Sequence, residues 1–76
     1  MKIEKGKVEF SNEIEGVMLS TTNIRHNNHE VFEATKKGYH LFIYQENDNW
    51  EIFDKGNCTG KDGVIKLWEI MKVLNG

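Results

Sequence analysis

The residues able to do covalent or metal chemistry are few: one cysteine, Cys58, and three histidines, His26, His29 and His40. Cys58 stands three residues past Lys55, which the hairpin register developed below sets opposite His40. A Cys58/His40 pair with Asp54 or Asp62 nearby would lower the thiol pKa and activate it as a nucleophile. No oxyanion donor set accompanies that pair, and a chain of 76 residues has little material to wall off a cleft, so an ordinary loop cysteine is expected. His26 and His29 flank Asn27-Asn28, a spacing that brings two imidazoles together across a tight turn. Zinc requires further ligands, and the same register puts His40 on the opposite face. No metal site is expected; the two imidazoles would instead report pH between about 5 and 7 through mutual repulsion. The loop from Gly56 to Gly63 fails as a Walker A loop, with three residues where four are needed before Gly60-Lys61 and Asp62 where the magnesium-binding hydroxyl belongs. Neither an enzyme nor a cofactor site is expected.

The other chemistry on offer is recognition by aromatic rings. Phe32, Phe42, Tyr44 and Phe53 are the candidates, because rings grouped on an open sheet face stack bases or anchor a protein partner. Arg25, Lys55 and Lys61 are the cations that would serve a nucleic-acid partner in that setting.

Those side chains need a sheet to carry them. Gly38 to Gly56 reads as a β-hairpin: Tyr39 to Tyr44 and Trp50 to Phe53 are aromatic and β-branched, with a polar cluster between them. With Asn47 and Asp48 as turn residues, Ile43 faces Ile52 and Phe42 faces Phe53. Leu41, Ile43, Trp50 and Ile52 then share one face, and His40, Phe42, Tyr44 and Phe53 the other. A second turn at Asn27-Asn28 sets His26 against His29, Arg25 against Glu30 and Ile24 against Val31. Lys36-Lys37-Gly38 reads as a three-residue loop with Gly38 left-handed, placing Ala34 against His40, Phe32 against Phe42 and Val31 against Ile43. The expected sheet has an aliphatic row of Ile24, Val31, Ile43 and Ile52, and an aromatic row of Phe32, Phe42 and Phe53 on the opposite side.

Met1 to Gly16 alternates weakly through Val8 and Phe10 and reads as an edge strand, with Ser11-Asn12 as a turn. Gly63 to Leu74 reads as a helix opened by Asp62 and closed by Asn75-Gly76. Val64, Leu67, Trp68, Ile70, Met71 and Leu74 form its apolar arc, with Ile65 and Val73 outside it. The expected fold is α+β, a single domain over 1–76: an antiparallel β-meander of four or five strands followed by one C-terminal helix packed on one face. That order of elements resembles in outline the single-strand DNA-binding coactivator and Whirly folds, and no motif accompanies the likeness.

The lone cysteine precludes an internal disulfide, and the charged start lacks the apolar run of a signal peptide, so a reducing, cytoplasmic setting is expected. The mean hydropathy of −0.60 and the absence of a long apolar run argue against a membrane span. A formal charge of −2 provides no overall attraction to nucleic acid. Abundant Lys, Asn, Glu and Ile without proline suit an AT-rich bacterial or phage genome. One helix covers one face, so the expected function is a small non-enzymatic interaction module, a regulator or inhibitor. It would bind a protein partner, a second copy included, through the uncovered face or the edge strand. The alternatives are a single-stranded nucleic-acid binder using the aromatic face, or an N-terminal strand folded over the rings.

Overall fold

A computed structural model of the chain describes residues 11–76. Five strands, β1 (Ser11–Ile14), β2 (Val17–His26), β3 (His29–Lys36), β4 (Tyr39–Glu46) and β5 (Asn49–Asp54), precede one helix, α1 (Gly60–Asn75). The strands form one antiparallel sheet in sequence order. This is the expected α+β meander with a C-terminal helix. Val8 and Phe10 lie outside the described residues. Ser11 and Asn12 are strand residues paired with Ser20 and Leu19, not a turn.

All four connections within the sheet are two-residue turns, Glu15-Gly16, Asn27-Asn28, Lys37-Gly38 and Asn47-Asp48, with both residues of each at positive φ. Such turns carry the twist that antiparallel neighbours need. The β3–β4 connection therefore holds two residues rather than three, which shifts that register by one. Phe32 pairs with Ile43, Glu33 with Phe42, Ala34 with Leu41 and Val31 with Tyr44. Because side chains alternate, the shift sends Phe32 to the aliphatic side and Val31 to the aromatic side.

Two irregularities change the pairing further. Thr22, Asn23 and Ile24 stand where β3 has Val31 alone, so Ile24 does not face Val31. In β5, Phe53 is an extra residue between the Ile43–Ile52 and Phe42–Asp54 pairs, so Phe42 does not face Phe53. Bulges of this kind re-aim side chains and bend the strand.

Helix α1 packs on the face carrying Val17, Leu19, Phe32, Ala34, Leu41, Ile43 and Trp50, and contributes Leu67, Ile70, Met71 and Leu74 to the same core. The helix begins earlier than its sequence suggests, at Gly60 with Thr59 as N-cap, and Asp62 lies in its first turn, where a carboxylate suits the dipole. Buried Gly63 admits Cys58 beneath that turn, since a Cβ there would sit 2.7 Å from the Cys58 carbonyl carbon. Lys66 Nζ donates to Glu69 Oε1 at 2.9 Å and holds that carboxyl below its ordinary range, while Lys36 reaches the same oxygen from β3 at 3.8 Å. Among the described residues, no helix is long and apolar enough to cross a membrane.

Candidate functional site

The face of the sheet away from α1 carries the candidate site. Strand alternation places Phe42 and Tyr44 of β4 there, and the bulge in β5 brings Phe53 alongside. The tight Asn27-Asn28 turn projects His26 and His29 onto the same side as an opposed pair. The His26 ring lies between two aromatic rings, its centroid 5.0 Å from Tyr44 and 5.1 Å from Phe53, and His29 stands 5.6 Å from Tyr44. At the other end of β4, His40 stands 6.0 Å from Phe42, with its Nδ1 3.6 Å from Glu33. Val31 is fully buried in this face, the cross-strand partner of Tyr44, while Phe53 keeps 39% of its surface exposed.

The expected ring quartet thus divides. Phe42, Tyr44 and Phe53 share the uncovered face, whereas Phe32 lies under the helix at 0% exposure. Strand β1 pairs edge-on with β2 in the plane of the sheet, so no described element folds over the rings. The three cations do not line one groove. Arg25 turns its Nη2 to the Asn28 carbonyl at 2.7 Å, Lys55 is exposed after β5, and Lys61 sits on α1, across the sheet from the rings.

A Cys58/His40 dyad is not formed. The thiol belongs to the core and donates to the His40 main-chain carbonyl at 3.5 Å, while the imidazole stands on the opposite face beside Phe42. Burial pushes the Cys58 thiol pKa up, the opposite of what activates a nucleophile. No group of three or more metal-ligating side chains occurs among the described residues.

Sequence reasoning missed two asparagines that close the sheet where strands run out. Glu46 and Asn49 flank a two-residue turn and form a hydrogen-bonded pair, so at the next pair, Gln45–Trp50, the Trp50 N–H and C=O point off the edge. The Asn75 side chain meets both, accepting from Trp50 N at 2.8 Å and donating to Trp50 O at 3.2 Å. Asn57 does the same where β5 has ended: its Oδ1 accepts from His40 N at 2.7 Å and its Nδ2 donates to Gly38 O at 3.1 Å. Trp68 was expected in the helix core but is 62% exposed, overhanging a groove of about 460 Å³ beside Ile52, Met71 and Asn75.

Comparisons with protein-family models, with curated proteins and with solved structures found no match. The outline likeness to single-strand DNA-binding folds therefore carries no weight beyond the order of elements.

Proposed function

We propose that this chain is a small non-enzymatic interaction module that binds a protein partner on the uncovered face of its sheet. The observation that carries the reading is the open cluster of Tyr44, Phe53 and His26 on a face that no described element covers. Rings with an apolar body and a polar edge are the side chains that anchor protein interfaces. Ile24, 40% exposed, adds apolar surface on the strand that carries His26. The face is a better surface than the β5 edge, because Asn75 occupies that edge at Trp50 and Phe53 bulges beyond it. In this reading the chain is a bacterial or phage regulator or inhibitor that meets its partner in the cytoplasm.

The test compares capture from host lysate by the wild-type chain and by a Tyr44→Ala/Phe53→Ala variant of unchanged far-ultraviolet circular dichroism. A protein held by the wild type and by Trp68→Ala, but lost from the double variant, supports the reading. Identical capture by wild type and double variant refutes it. Salt-sensitive oligonucleotide binding with no protein captured would favour the single-strand alternative.

A further inference from the structure

All three histidines of the chain lie on the uncovered face, and each of the three rings there has an imidazole against it: Tyr44 has His26 and His29, Phe53 has His26, and Phe42 has His40. From this juxtaposition we infer that the face is proton-sensitive, changing from an aromatic surface that accepts apolar groups to one that carries hydrated imidazolium charges among its rings as its histidines charge. The inference rests on the proposed role of this face and adds its control.

The charges around the histidines decide how the switch behaves. From β2 comes Arg25, with its guanidinium on the Asn28 carbonyl; from β3 come Glu30, opposite Arg25, and Glu33, beside His40. From β4 come the Tyr44 phenol and Glu46, and from β5 Glu51, opposite Tyr44, and Asp54, whose Oδ1 accepts from Gly56 N–H. Lys55 follows at the end of β5. Of the three histidines, only His40 has a carboxylate of the described residues within ion-pair reach. No described carboxylate neutralises protonated His26 and His29, and they are direct cross-strand partners, an arrangement in which like charges repel.

The neighbouring rings keep the charge on the face. A His26 imidazolium 5.0 Å from the Tyr44 centroid and 5.1 Å from that of Phe53 is within the range at which ring quadrupoles attract a cation, which favours its staying beside them. The surface then holds strongly hydrated cations where it held neutral rings. Three protonations take the formal charge of the chain from −2 to +1, and all of that change falls on one side of the sheet. Histidine is the side chain whose ordinary pKa places such a change between about pH 5 and 8.

The experiment uses the full chain and the uncharged dye Nile red. Emission of bound dye is expected to fall by about threefold or more between about pH 7.5 and 5. His26→Gln/His29→Gln, uncharged at both pH values, is expected to give equal emission at the two, at whatever level it starts. A wild-type signal that does not change with pH, or an equal fall in the double glutamine variant, overturns proton control. A fall that tracks loss of the far-ultraviolet circular dichroism reports acid unfolding and also overturns it. Equal emission at about pH 7.5 from the wild type and from Tyr44→Ala/Phe53→Ala overturns the binding face itself, a failure distinct from loss of pH dependence.

Discussion

Replacing Phe32 with alanine tests the register on which the site depends. Phe32 is 0% exposed, faces Ile43 across the β3–β4 pair and meets Trp50 edge-on, with centroids 5.5 Å apart and planes at 79°. Removing a ring so placed costs about 3–5 kcal/mol, for lost transfer energy and the cavity left behind. The edge-to-face contact supplies about 0.5–1.5 kcal/mol of that. At roughly 0.05–0.15 kcal/mol per residue, a 76-residue domain has about 4–11 kcal/mol in all, so Phe32→Ala removes a large fraction of it. Urea titration followed by tryptophan fluorescence is the assay, because nearly buried Trp50 reports opening of the core while Trp68 is exposed in the folded state. With a slope near about 1 kcal/mol/M, the midpoint falls by about 3–5 M. Phe53→Ala, at an exposed bulge, is expected to cost about 1 kcal/mol. If Phe32→Ala does not fold, Phe32→Leu provides a milder step of about 1.5 kcal/mol or less. Equal losses at Phe32 and Phe53, or a loss below about 1 kcal/mol at Phe32, would refute the two-residue Lys37-Gly38 turn and return Phe32 to the open face.

Cys58 is expected to react slowly with a disulfide reagent in the native chain and about tenfold or more faster in denaturant, because its thiol is buried and its pKa raised. The same shift makes the folded thiol harder to ionise than the unfolded one, so its stabilising effect is full below the ordinary thiol pKa and declines as pH rises past about 8.5. Cys58→Ala is expected to flatten that alkaline fall in melting temperature; an unchanged slope would contradict it. Gly56→Ala would place a Cβ 2.3 Å from the His40 carbonyl oxygen at a φ of +61°, and a loss of about 2–4 kcal/mol is expected by thermal melting. A wild-type melting temperature for that variant would mean the β5–α1 loop sits elsewhere. Asn75→Ala is expected to cost about 1–2 kcal/mol and to produce concentration-dependent association by light scattering as the β5 edge opens; an unchanged, monodisperse variant would show the cap to be dispensable.

The element order, the helix and the division of the β4–β5 hairpin into two faces were legible in the sequence because each rests on a strong local signal; which face the helix covers was not. Asn27-Asn28 and Asn47-Asp48 announce two-residue turns, since these side chains tolerate positive φ. Lys37-Gly38 does not. A three-residue loop and a two-residue turn both use Gly38 at positive φ, and they differ in whether Lys37 adopts it too; Lys37 lies at φ 49°. Nothing about a lysine signals that conformation, yet it decides the face on which Phe32 falls. The bulges were hidden for a related reason. Pairing Ile24 with Val31 and Phe42 with Phe53 satisfies cross-strand preference locally, while the folded sheet breaks both pairs at extra residues in β2 and β5.

The site was legible in part, and the missing parts share a cause. Helical periodicity located the apolar arc of α1 but not how far the sheet extends beneath it, and β5 is the last strand, so Trp68 overhangs the rim. Asn57 and Asn75 have no local signature, because the backbone groups they satisfy lie 17 to 25 residues away in sequence. Asn75 nevertheless bears on one binding route that the composition leaves open, strand addition at the β5 edge. An edge strand recruits a partner through unpaired N–H and C=O groups. Here the Asn75 amide holds both groups of Trp50, and the bulge at Phe53 bends the strand soon after, leaving Ile52 between a cap and a kink. An incoming strand would have to displace Asn75 before gaining more than the groups at Ile52. A ligand on the uncovered face displaces nothing among the described residues and meets Tyr44, Phe53 and the His26 ring already packed together. Pre-organisation of that kind lowers the ordering cost of binding. It is the reason the face, rather than the β5 edge, is the surface on which a partner is expected.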